Sequence, residues 1–208
     1  MQVKVCGLKT AKQVESCIEY GANFCGFILN YKKSHRFIDY QTADYLTKIN
    51  KKKTSYVGVL VNPTIDEIQK FGSLNLDYFQ IYGELDIKQI SSIKSKFNKK
   101  IIMALQIKEE RDILKYKIYE NSADIILFDS SGLHKSLSWN YNWIKSVPSS
   151  VTKMLAGNID IGMLENLKKI TDIVDVSGAL ETDKVKDLDK IKNFLNKIKK
   201  TNAKNKKR

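Results

Sequence analysis

Two strand-like runs, far apart in the chain, each end in a residue able to move a proton: Val3-Lys4-Val5-Cys6-Gly7-Leu8 near the start and Ile125-Ile126-Leu127-Phe128-Asp129 beyond the middle. A thiol and a carboxylate that face one small molecule can divide the work of a general base and a general acid. Each needs an altered environment to do so. A thiol near its usual pKa of ~8.5 is mostly protonated at neutral pH, and an aspartic acid near ~3.9 is mostly ionised. Taken alone, Cys6 reads more readily as a small buried apolar residue. Asp129, followed by two serines and a glycine, reads as the start of a turn as readily as a catalytic group.

The elements that could bring the two together follow from the hydrophobic pattern. Short β-rich runs at 2–5, 24–29, 55–61, 78–81, 101–106, 125–128, 152–155 and 173–176 alternate with segments of helical period. The helical segments fall at 11–20, 40–50, 65–71, 87–97, 109–119, 141–145, 161–169 and 187–198. Strands as continuously apolar as Ile125 to Phe128 suit a parallel sheet buried on both faces. Eight strand-helix units suit closure into a single-domain (β/α)8 TIM barrel better than an open sheet. No Gly-x-Gly-x-x-Gly follows the first strand, which speaks against a doubly wound dinucleotide fold. In such a barrel the residues just past the strand C-termini converge on one face, where Cys6 and Asp129 would meet.

At 208 residues with 42% hydrophobic content, the chain has enough apolar material for one filled core and little for a second domain. The barrel is expected over 1–200, with a basic tail at 201–208. The opening residues carry no basic-then-apolar leader, and no apolar stretch is long enough to span a bilayer. The three cysteines, Cys6, Cys17 and Cys25, are odd in number and crowded into the first strand, helix and strand. That spacing suits neither a disulfide framework nor a zinc site, and points to a reducing cytoplasm. Cys17 and Cys25 read as packing residues, and His35 and His134 form no metal set. Of the net charge of +13, much lies after Lys184. The tail lacks aromatic residues to stack on bases, so it reads as a solvated face rather than a nucleic-acid arm. A positive field would attract an anionic metabolite.

Several segments together resemble the phosphoribosylanthranilate isomerase family of tryptophan biosynthesis. They are Lys4-Val5-Cys6-Gly7-Leu8-Lys9-Thr10, Gly21-Ala22-Asn23-Phe24-Cys25-Gly26-Phe27 and Ser34-His35-Arg36-Phe37-Ile38. Downstream come Val57-Gly58-Val59, Asp77-Tyr78-Phe79-Gln80-Ile81-Tyr82-Gly83-Glu84, Leu127-Phe128-Asp129-Ser130, Leu155-Ala156-Gly157 and Asp175-Val176-Ser177-Gly178 with Glu181. The resemblance runs in order from Met1 to about Asp187.

It implies a TIM barrel and an Amadori rearrangement without any cofactor or metal. The reaction turns N-(5-phosphoribosyl)anthranilate into 1-(2-carboxyphenylamino)-1-deoxyribulose 5-phosphate. By matching motif, Asp129 would be the general acid and Cys6 the general base. Arg36 would pair with the anthranilate carboxylate through two parallel hydrogen bonds. The phosphate would lie over Gly157, Asn158, Ser177 and Gly178, where small residues let backbone N–H groups approach an anion. Asp175 would lie on a ribose hydroxyl. The sole ligand expected is thus a small anion, with no membrane or nucleic-acid partner, on a monomer or a homodimer.

The sequence departs from the family pattern in places. The usual Gly-Gly-Thr-Gly is Ser131-Gly132-Leu133-His134, the usual Gly-Gly is Gly157-Asn158, and the usual histidine at the fourth strand is Tyr82. A catalytically silent phosphate-binding barrel, or an isomerase of a related phosphosugar, stands as the alternative.

Overall fold

A computed structural model describes residues 1–130 and 137–203. Eight parallel strands close into a ring in chain order: β1 (Gln2–Cys6), β2 (Phe24–Ile28), β3 (Ser55–Val61), β4 (Tyr78–Tyr82), β5 (Lys100–Ile107), β6 (Ile125–Ser130), β7 (Lys153–Leu155) and β8 (Ile173–Val176). Around it lie α1 (Ala11–Glu19), α2 (Tyr40–Thr47), α3 (Ile65–Gly72), α4 (Ile87–Phe97), α5 (Tyr116–Tyr119), α6 (Leu164–Leu167) and α7 (Leu188–Ala203). A two-stranded hairpin, β9 (Glu181–Thr182) and β10 (Val185–Lys186), precedes α7.

The expected strand-helix alternation is present, with local differences that have physical causes. The helix expected over 109–119 is 3₁₀ at Glu110–Lys115 before one α-turn. Its entry is tightened by Asp112, whose Oδ2 accepts from the backbone N–H groups of Lys108 and Glu109. The segment near 141–145 is also 3₁₀, Tyr141–Ser146, entered through Asn140, whose side chain accepts from Asn142 N. The helix expected over 161–169 shrinks to Leu164–Leu167, because Asp160 Oδ1 captures Gly162 N–H and turns the chain before the helix begins. The last helix extends beyond the expected barrel end at 200, with Thr201 buried. Residues 204–208, most of the expected tail, lie outside the described residues, as do Ser131 to Lys135.

Two-residue alternation divides each strand between two cores. On β1, Val3 and Val5 join the layer packed under the helices, while Cys6 joins the core inside the ring. On β6, Ile126 and Phe128 face the helices, while Ile125 and Leu127 fill the interior with Val57, Val59, Ile102 and Met154. Asp129 continues the inward phase of β6, and Lys4 and Cys6 share that of β1. The packed interior therefore ends in a layer of polar side chains at the C-terminal mouth.

The opposite end is held by a device repeated four times. The residue before each even-numbered strand accepts a backbone N–H from the start of the preceding strand. Asn23 Oδ1 takes Val3 N at 3.0 Å, Asp77 Oδ2 takes Tyr56 N at 2.7 Å, Asp124 Oδ2 takes Ile101 N at 2.8 Å and Asp172 Oδ2 takes Lys153 N at 2.8 Å. These bonds fix the pairs β1–β2, β3–β4, β5–β6 and β7–β8 in register. The side-chain repeat spans unlike surrounding residues, which hides it in the sequence.

Candidate active site

The ring closes by pairing β1 with β8, with Lys4 beside Asp175 and Val5 beside Val176. That register builds one wall of a cavity of about 140 Å³ at the C-terminal mouth. Cys6, Gln80, Tyr82, Asp129 and Asp175 line it from the strands, and Arg36 lines it from the loop after β2. The structure thus brings together every residue given a catalytic or binding role from the sequence: Gly157, Asn158, Ser177 and Gly178 line the same cavity.

Cys6 is buried at the end of β1, and its backbone oxygen accepts from Ser177 Oγ at 2.9 Å. Burial raises the thiol above its ordinary range, opposed by the Lys4 ammonium and reinforced by the charge of Asp175. Lys4 is fully buried, and its Nζ donates to Asp175 Oδ2 at 2.8 Å. Burial alone would pull the ammonium down, but Asp175 and the Cys6 thiol outweigh it and the net shift is upward. Lys4 is therefore a permanent cation beside the thiol. A Cβ on Gly26, one strand over, would come within 3.0 Å of Cys6 Sγ and 3.2 Å of Lys4 Nζ. The glycine leaves room for both.

Asp129 lies three strands from Cys6 around the ring. Burial pushes its carboxyl up to about 6, against the hydrogen bond from Tyr82, with the Asp175 charge adding to the rise. The Ser130 N–H, 2.7 Å from Asp129 Oδ1, opposes it. The carboxyl and the thiol are both shifted toward their protonated forms.

Arg36 sits at the rim, with its fork closed on Glu181. Nε donates to Oε1 at 2.6 Å and one Nη to Oε2 at 2.9 Å. Lys186 also pairs with Glu181 Oε1. Burial would raise the Glu181 carboxyl, but Arg36 and Lys186 bring it to about 2. A guanidinium and an ammonium thus face one carboxylate, leaving the rim positive.

After β7, Gly157 and Asn158 both adopt left-handed backbone, with φ of 104° and 48°. A Cβ on Gly157 would meet Leu137 O at 2.8 Å and Trp139 Nε1 at 2.9 Å, so glycine is required there on both counts. Asn tolerates the left-handed position better than most residues, and its Nδ2 donates to Ser138 Oγ at 3.0 Å.

Three site residues escaped the sequence reading of roles: Lys4, Gln80 and Lys186. Gln80 is 1% exposed and its Oε1 has no partner among the described residues, as is true of Asp175 Oδ1. An unsatisfied buried acceptor lining a cavity marks a ligand-facing position. The available signal was alternation: Lys4 and Gln80 each stand two residues before a named site residue, in the inward phase of an otherwise apolar strand. Among the described residues no cluster of His, Cys, Asp or Glu could hold a metal ion, and no helix is long and apolar enough to cross a membrane.

Comparison with known proteins agrees with this geometry. A family model described as N-(5'phosphoribosyl)anthranilate (PRA) isomerase matches residues 3–197. The enzyme of that name from Bacillus cereus is 32% identical over 210 residues, covering 96% of this chain and 98% of its own. That from Streptococcus mutans is 30% identical over 205 residues, covering 96% and 99%. The crystal structure of phosphoribosyl anthranilate isomerase from Thermotoga maritima superposes with a TM-score of 0.86 at 25% identity, covering 96% and 99%. Another solved phosphoribosyl anthranilate isomerase, in complex with reduced 1-(o-carboxyphenylamino)-1-deoxyribulose 5-phosphate, superposes with a TM-score of 0.83 at 25% identity. With a matching closed barrel and a family match spanning nearly its whole length, this chain belongs to the N-(5'-phosphoribosyl)anthranilate isomerase family.

Proposed function

We propose that this chain catalyses the Amadori rearrangement of N-(5-phosphoribosyl)anthranilate to 1-(2-carboxyphenylamino)-1-deoxyribulose 5-phosphate, a step of tryptophan biosynthesis in the cytoplasm. The observation that carries the reading is a buried thiol and a half-buried carboxyl, on separate strands, lining one cavity in a member of this family.

Asp129 gives its proton to the ribose ring oxygen, the C–O bond breaks with its electrons passing to oxygen, and the anilino nitrogen forms the iminium. Cys6, as thiolate, removes the proton from the adjacent sugar carbon, and the electrons flow to the iminium nitrogen. The resulting enol then tautomerises to the ketone. Lys4 stabilises the thiolate as its counter-cation. The phosphate rests on the turns at Gly157, Asn158, Ser177 and Gly178. Asp175 Oδ1 and Gln80 Oε1, buried acceptors without a partner among the described residues, take donors from the substrate.

Arg36 anchors the anthranilate carboxylate through the Nη that Glu181 leaves unoccupied, helped by the excess positive charge at the rim. Arg36→Ala should raise KM about tenfold or more with kcat changed much less. Arg36→Lys should fail to restore it, since an ammonium lacks the planar fork that holds Glu181 at two points and still presents a further Nη to the ligand. Steady-state kinetics decide the point, and an unchanged KM in the alanine variant removes Arg36 as the anchor.

A further inference from the structure

The acid-base pair leaves one buried titratable side chain of the cavity without a task. Tyr82 ends β4, where the family usually carries histidine, and its hydroxyl donates to Asp129 Oδ2 at 2.7 Å. The two strands are not neighbours, since β5 lies between them in the ring. The contact therefore spans the mouth of the barrel and is not a by-product of ladder pairing. Asp129 Oδ1 is held separately, by Ser130 N–H at 2.7 Å and Ser130 Oγ at 3.5 Å. With a donor on each oxygen, the plane of the carboxyl is fixed. At 2.7 Å the Tyr82 hydroxyl is a close donor to the carboxyl, and a hydrogen bond of this kind strengthens when its acceptor ionises.

We propose that Tyr82 is the positioning residue of the general acid, orienting the Asp129 carboxyl toward the substrate and taking up the negative charge that appears once Asp129 has released its proton. The inference rests on Asp129 as the acid. Tyr82 keeps its own proton throughout: burial and then the Asp129 charge hold its phenol well above the ordinary range. It acts as a fixed dipole aimed at charge that develops during the reaction.

The charged groups that face Asp129 divide by sign. Asp175 on β8 raises its pKa, while Lys4 on β1, the Ser130 N–H and the Tyr82 hydroxyl lower it. Among these, the Tyr82 hydroxyl is the donor that Tyr82→Phe removes with little change of volume. Loss of that donor should make Asp129 a weaker acid whose proton is held to higher pH.

The test uses Tyr82→Phe and Tyr82→His, with thermal melts confirming that each is folded, and two readouts. In protein carrying ¹³C-labelled aspartate carboxyls, with the Asp129 resonance assigned by its loss in Asp129→Asn, the Asp129 midpoint in Tyr82→Phe should rise by roughly half a pH unit or more. In steady-state assays, kcat of Tyr82→Phe should fall about tenfold with KM within about twofold, and the acidic limb of its pH profile should move upward with the midpoint. Tyr82→His, which restores an N–H donor, should recover most of the rate and the midpoint. An unmoved Asp129 midpoint in Tyr82→Phe overturns the proposal, as does a loss expressed in KM alone. If the phenylalanine variant does not fold, the histidine variant decides, and a displaced midpoint with wild-type kcat counts against the proposal. The carboxyl titration needs no turnover. A shifted midpoint in a protein that does not isomerise the substrate would therefore sustain the Tyr82–Asp129 coupling while removing the isomerase reading.

Discussion

Asp129→Asn should lower kcat on the order of a hundredfold or more while leaving the fold at least as stable as wild type at neutral pH. The amide fits the same space, with its oxygen accepting from Ser130 N–H and its NH2 donating to the Tyr82 hydroxyl oxygen, so substrate binding should change little. What it lacks is a transferable proton. The stability half follows from linkage. Burial raises the Asp129 carboxyl from its usual 3.8 to about 6 in the folded chain. A group whose pKa is raised by folding contributes stability that is present below its unfolded value and lost as pH rises through its folded value. Above pH 6 the ionised carboxylate thus weakens the fold by about 3 kcal/mol, since tenfold in a protonation equilibrium corresponds to about 1.4 kcal/mol. Asn escapes that penalty. Thermal melts at pH 7.5 beside single-turnover kinetics separate the two halves, and a variant both inactive and destabilised at that pH would mean that Asp129 serves the fold rather than the reaction.

The same environments set the pH profile. The active species needs Asp129 protonated and Cys6 ionised, although the carboxyl titrates near 6 and the thiol above its ordinary range. Only a small fraction of molecules is in this reversed state, and that fraction is constant between the two values. The rate should therefore form a plateau, with the acidic limb at Asp129 and the alkaline limb at Cys6.

Lys4→Met should give the largest loss of stability of any single change at the site, about 3–5 kcal/mol, the usual result of removing one partner from a buried ion pair. Lys4 is fully buried, and Asp175 would be left inside the barrel with neither oxygen partnered, since Oδ1 already has no partner among the described residues. The Cys6 thiol would also lose the cation that holds its pKa down, so the alkaline limb should move to higher pH. Adding Asp175→Asn should return most of the stability, because a neutral pair is tolerated where a lone charge is not. It should leave the thiol without its cation while removing the Asp175 charge that also raises it, so the limb should return only part of the way. Denaturant midpoints and pH profiles of the single and double variants check this, and a single variant as stable as wild type would show that the pair contributes nothing net.

The parts of the site that were legible in the sequence are those whose chemistry is written locally. Cys6 and Asp129 stand at the ends of apolar runs, and Gly157-Asn158 and Ser177-Gly178 mark turns after strands. The closed eight-stranded ring was legible from the alternation of apolar runs. Lys4 was not legible as a functional residue because its partner, Asp175, is set beside it only when β8 closes on β1. Gln80 shows its role through an acceptor left without a donor, which no spacing encodes. Tyr82 was visible as a departure from the family pattern, yet its bond to Asp129 depends on how β4 and β6 lean across the mouth. The fork of Arg36 was expected to meet a ligand carboxylate through two bonds, and the structure closes it on Glu181 through the hairpin region after β8. Short 3₁₀ segments replaced expected helices where Asp112 and Asn140 tie up the backbone, and an expected helix was cut short where Asp160 does so, interactions that helical periodicity does not register.

The most direct measurement is the loss of anthranilate-type fluorescence when purified protein meets freshly generated phosphoribosylanthranilate, with Cys6→Ser alongside. The wild-type chain should quench the signal far above the spontaneous background, and Cys6→Ser should fall on the order of a hundredfold or more while remaining folded, because a hydroxyl is too weakly acidic to supply the base. No decay above background from folded wild-type protein would contradict the isomerase assignment, and equal decay from Cys6→Ser would contradict Cys6 as its base.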